Sequence, residues 1–94
     1  MIYSSADIEM LLKNAKIMSL EEKITGMPDE KLTFLYRCLE LLEPYQKDVI
    51  TKTYIEGVSM RKFAIYSGFS RNFVAKVRKE TVELLARFFT LKFC

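Results

Sequence analysis

Residues 59–85 read SMRKFAIYSGFSRNFVAKVRKETVELL, and this stretch decides the fold. Two apolar-periodic runs each open on a serine, Ser59 and Ser70, with Gly68 between them. A serine at a helix start accepts a hydrogen bond from a free backbone N–H, and glycine tolerates the left-handed conformation a tight turn needs. The spacing therefore predicts two helices joined by a short connection. Ala64 and Val74 stand ten residues apart, on either side of Gly68. Helices that cross steeply need a small residue at their closest approach, and Ala64 suits that place. Phe69 is expected to plug the turn into the core, and Phe63, Val74 and Val77 to point inward. Together these features describe a helix-turn-helix.

On a helical wheel of about 100° per residue, fixing Val74 and Val77 inward turns Asn72, Ala75, Lys76 and Lys79 outward, with Arg71 at the exposed N-terminal end. A DNA-reading helix meets base edges with such a face. Arginine can bond guanine bidentately and asparagine adenine, and a small alanine permits close approach or contact with a thymine methyl. Arg71, Asn72, Ala75, Lys76 and Lys79 are thus the expected base-contact residues. Ser59, Arg61, Lys62 and Ser70 lie at or near two helix starts, where side chains and free N–H groups bind phosphate. Arg78, at the inward edge, is a further expected phosphate contact, with an intramolecular acid as its alternative partner. Phe73 reads either as core or as an exposed packing surface.

Before this stretch, Ser4 and Asp7 form a capping box, and Ile8, Leu11, Leu12, Ala15 and Met18 follow at helical spacing, predicting a helix over 5–17. Ser19 and Glu22 repeat the signal ahead of Leu20, Ile24 and Gly26, which predicts either a short second helix or a kinked continuation. Pro28, Asp29 and Glu30 favour a new start. The run from Leu32 to Leu42 is apolar on nearly every side, so the helix 31–42 is expected to be central, or to meet a second chain as well. Pro44 starts another helix, which carries Tyr45, Val49, Ile50, Tyr54 and Ile55 and ends at Gly57. Beyond residue 70 the helix runs to about 89, and the aromatic C-terminus is expected to pack back on the N-terminal helices, an oligomer contact being the alternative.

Ninety-four residues, half of them hydrophobic, support one small domain with a core. With three Gly and two Pro the chain reads as all-α, with about five to six helices. Residues 1–43 carry five Lys/Arg and eight Asp/Glu, a net −3, whereas residues 44–94 carry ten and four, a net +6. The basic half is the one with the helix-turn-helix pattern, and a basic face attracts phosphate. The division is therefore a helical scaffold over 1–43, with a candidate dimer surface, and a DNA-binding part over 44–94. Cys38 and Cys94 make neither a disulfide framework nor a zinc set, and both thiols read as reduced. No secretory leader is legible and no apolar run nears the ~18 residues of a membrane span, so no membrane partner and a cytoplasmic location are expected. With no His, no Gly-rich phosphate loop and no clustered carboxylates, the chain is read as a non-enzyme without cofactor or metal.

Residues 42–85 resemble region 4 of the sigma-70 family, in the style of the small RinA- and ArpU-type regulators of phages and mobile elements. The matching pieces are Leu42-Glu43-Pro44, Val49-Ile50, residues 54–59, Phe63-Ala64, residues 67–70, Val74, Val82 and Leu85. The resemblance implies promoter reading by Arg71, Asn72, Ala75, Lys76 and Lys79. Lys52 and Ser67 depart from it, standing where the family usually has apolar residues. No sigma region 2 is recognisable in the N-terminal half, so the resemblance implies a stand-alone regulator.

The leading expectation is a sequence-specific transcription regulator, an activator, that binds double-stranded DNA as a homodimer and contacts RNA polymerase. The helix 31–42 and the aromatic C-terminus are its candidate dimer surfaces. One alternative is a phage DNA-packaging subunit resembling a small terminase. Another is an interaction module that binds RNA polymerase or another regulator without touching DNA.

Overall fold

The computed structural model describes residues 2–94. Five α-helices run in order: α1 (Ser5–Thr25), α2 (Glu30–Leu41), α3 (Pro44–Ile50), α4 (Met60–Ser67) and α5 (Arg71–Phe93). A π turn, Thr51–Ile55, prolongs α3. The chain is all-α, with no strand among the described residues, and no helix is long and apolar enough to cross a membrane.

The helix starts follow their caps. The Ser4 hydroxyl accepts from the Asp7 N–H at 3.2 Å, and the Asp7 carboxylate accepts from the Ser4 N–H at 2.9 Å. Those bonds with Ser4 hold the Asp7 carboxyl below its ordinary pKa. Ser59 and Ser70 each accept from the third N–H beyond them, at 3.1 Å. Gly68 closes α4 at φ +81°, and a Cβ there would meet no atom within 4 Å, so only backbone strain reserves the position for glycine.

Ser19 does not open a second helix: α1 runs through it to Thr25. Nothing before Gly26 breaks the helical run. The Ser19 hydroxyl lies 3.3 Å from the Tyr36 hydroxyl on α2, so it is engaged across a helix pair. Glu22 also has another task, its Oε1 accepting from the Asp29 N–H at 2.7 Å across the connection. Asp29, and not the proline before it, caps α2 by accepting from the Leu32 N–H at 3.0 Å.

One core cluster joins the two halves of the chain. It gathers Ile8, Leu12 and Ala15 of α1 and Leu32, Leu35, Cys38 and Leu39 of α2. Ile50 and Tyr54 join them, with Val82, Leu85, Ala86 and Phe89 of α5. A smaller cluster holds Val49, Phe63, Ala64, Val74 and Val77, which fixes α4 against the first half of α5. The segment formed by α3 and its π turn serves both clusters. Val49 lies in the small cluster, while Ile50, about 100° further round the helix, lies in the large one with Tyr54 one turn on. The buried Thr53 hydroxyl donates to the Val49 carbonyl at 2.6 Å there. Lys52, the departure noted above, pairs with Glu56 at 3.1 Å on the exposed side, and that hydrogen bond raises its pKa.

The aromatic C-terminus packs back as expected. Phe89 is fully buried, with Phe34 at 5.0 Å and Tyr3 at 5.4 Å between ring centroids, and Phe93 lies 5.5 Å from Phe34. The Tyr3 N–H donates to Thr90 Oγ1 at 3.0 Å, tying the two ends of the chain together. In contrast, α2 is not buried all round. Leu41 is 78 % exposed and Tyr36 half-exposed, because only the Leu32–Leu35–Cys38–Leu39 face meets other helices.

Candidate nucleic-acid interface

The connection between α4 and α5 is three residues long, Gly68-Phe69-Ser70. Anchored by Val74 (0 % exposed) and Val77 (6 %), α5 turns its first two turns outward. Arg71, Asn72 and Lys76 are exposed there, with no ion pair within α5's first turn among the described residues. Ser70 accepts one backbone bond with its hydroxyl and retains the hydroxyl hydrogen as a donor. No acidic residue occupies the first turn of α5 or of α4, so both N-terminal ends keep their positive partial charge.

Ser59, Arg61 and Lys62 form a second exposed group at the start of α4. They border a shallow depression with Gly57, Val58 and Ile65. The two groups lie at the starts of consecutive helices held together by the small cluster.

Ala75 and Lys79 are exposed beside Arg71, Asn72 and Lys76, and Arg78 is half-buried. They line a cleft with Ser5 and Glu9 of α1, Tyr54, Met60 and Glu83. The Arg78 guanidinium stacks on the Tyr54 ring at 3.9 Å from its centroid. Its partner is thus an aromatic face and not an acid, and its buried Nε has no hydrogen-bond partner among the described residues. Burial pushes the Tyr54 hydroxyl pKa up, and the neighbouring arginine charge opposes that rise.

Two features escaped sequence reasoning. Glu80 lies one turn beyond Lys76 and approaches it at 3.9 Å, both side chains being largely exposed. The spacing of four was available as a signal. The second is a row of rings: Tyr45, Phe73 and Phe69, with centroid distances of 6.2 and 5.0 Å, continue to Phe63 at 6.4 Å. Phe69 does not plug the turn into the core; it is 36 % exposed, because Phe63 and Ala64 already fill the small cluster. Phe73 is 39 % exposed, a partly open packing surface.

No family model, curated protein or solved structure matches the chain.

Proposed function

We propose that the protein is a sequence-specific DNA-binding transcription regulator, an activator acting in the cytoplasm as a homodimer. The observation that carries the reading is the exposed face of α5's first two turns, Arg71, Asn72 and Lys76, held outward by buried Val74 and Val77. α4 and α5 act as the helix-turn-helix, with α5 in the major groove. Arg71 and Asn72 read base edges, and Lys76 reaches a base or a phosphate. Ser59, Arg61, Lys62 and Ser70 hold the backbone, using side chains and the free N–H groups of two helix starts. The cleft beside α1 narrows the base-reading set. Ala75 and Lys79 share it with Glu9 and Glu83, whose charge repels phosphate, so Lys79 contributes less than Lys76.

The test is selection of bound sequences from a random duplex pool, followed by titration of the selected site against salt. Affinity falls steeply with salt for the wild type. Arg71→Ala and Asn72→Ala each cost about 1–3 kcal/mol and relax specificity at one base pair. Lys76→Ala lowers affinity for all sequences and flattens the salt slope. Absence of binding at low salt, or a pool with no enriched sequence, refutes the reading. The exposed Tyr45–Phe73–Phe69 row favours a second reading, a protein-contact face for RNA polymerase. In that case Phe69→Ala abolishes polymerase capture and the Arg71, Asn72 and Lys76 variants leave it intact.

A further inference from the structure

α1 carries two apolar faces. Ile8, Leu12 and Ala15 are fully buried against the core. On the opposite side Met10, Ile17, Leu20 and Ile24 are 66, 58, 53 and 84 % exposed. At about 100° per residue these four fall within an arc of about 80°, nearly diametric to the buried face. Met10, Ile17 and Ile24 recur every seven residues, with Leu20 three beyond Ile17. That is the seam of a coiled coil, with Lys13 as its one polar position. A single surface helix that serves only its own core needs one apolar stripe and is polar opposite it.

We propose that this outer face of α1 is a self-association surface and that its occupant is α1 of a second copy, in parallel. The seam's spacing matches itself, and its flanking charges complement one another in that arrangement. Glu9, Lys16 and Lys23 flank one side of the seam, Asn14 and Glu21 the other. In a parallel pair, a residue on the first flank meets the partner residue five positions on. Lys16 then meets Glu21 of the second copy, and symmetry supplies the pair twice. Neither Lys16 nor Glu21 forms an ion pair among the described residues. An antiparallel pair centred on Ile17 sets Lys16 against its own copy instead. α1 is already folded on the core, so pairing orders no helix. The seam faces away from the side of α1 that contacts α5, which leaves the basic start of α5 open.

This surface supplies the dimer of the reading above. It is tested without DNA, so that its failure and that of the DNA reading are distinguishable. Sedimentation equilibrium of the full chain across the micromolar range is expected to show a monomer–dimer equilibrium. Ile17→Glu with Ile24→Glu is expected to give a monomer whose far-ultraviolet circular dichroism is unchanged, both positions being exposed. Lys16→Glu raises the dissociation constant about tenfold by turning two attractive contacts repulsive, and adding Glu21→Lys restores it. A wild type that stays monomeric overturns the proposal. So does a dimer indifferent to the Ile17/Ile24 substitutions, and a charge exchange that fails to rescue overturns the parallel arrangement.

Discussion

Thr81 is fully buried in α5, and its hydroxyl has no hydrogen-bond partner among the described residues. A buried unpaired hydroxyl carries a desolvation cost that a methyl of the same shape avoids. Thr81→Val is therefore expected to stabilise the fold by up to about 1 kcal/mol, read as a rise in the urea midpoint at constant slope. At this scale the sequence shows most where a side chain acts on its own backbone. Ser4, Ser59, Asp29 and Ser70 cap helices within three residues of themselves, and the spacing announces three of the four. It cannot show that Arg78 meets the Tyr54 ring, since the two residues lie on separate helical segments and nothing local links them. Cys38 is buried in the core as a small hydrophobe, and burial raises its thiol pKa.

Among the elements, α5 divides into an exposed basic start and a buried rear half. The start changes character at Glu80, whose carboxylate lies on the same side as Lys76. An exposed pair at 3.9 Å holds its lysine weakly, so phosphate can displace the carboxylate. On the proposed DNA-binding reading, Glu80→Gln removes both the competition and the repulsion, and it is expected to tighten DNA binding several-fold with a steeper salt slope. An unchanged affinity would mean that Lys76 faces away from DNA. The helices themselves were legible from apolar spacing and breakers, and at Ser19–Glu22, where the sequence allows a second helix or a kinked continuation, α1 continues. A capping box is a local offer that the helix interior declines when no backbone break accompanies it and both side chains find partners on α2 or its cap. The π turn left no trace in the apolar pattern.

For the whole molecule, α5 is the common member. Its first half closes the small cluster and its second half the large one, so residues 1–43 and 44–94 share a core and not merely a boundary. Phe89, fully buried against Phe34 and Tyr3, stands at the far end of that helix from Arg71. Phe89→Ala is expected to cost about 3–5 kcal/mol. Because the core is shared, loss of α4 and α5 structure should follow the same single unfolding transition as loss of α1. Circular dichroism and tyrosine fluorescence should give coincident curves. By itself, the sequence determined the all-α class, the starts of most helices and the inward set Phe63, Val74 and Val77, because caps, breakers and the 3.6-residue period act within one turn. Only the tertiary structure decided which apolar faces are covered. It buried the aromatic C-terminus, left Leu41 and Phe69 at the surface, drew Arg78 onto Tyr54 and set Ala75 and Lys79 in a cleft against α1. Periodicity states that a face is apolar; which neighbour covers it depends on contacts between residues far apart in the chain. For the outer face of α1, the neighbour proposed above is a second copy of the chain.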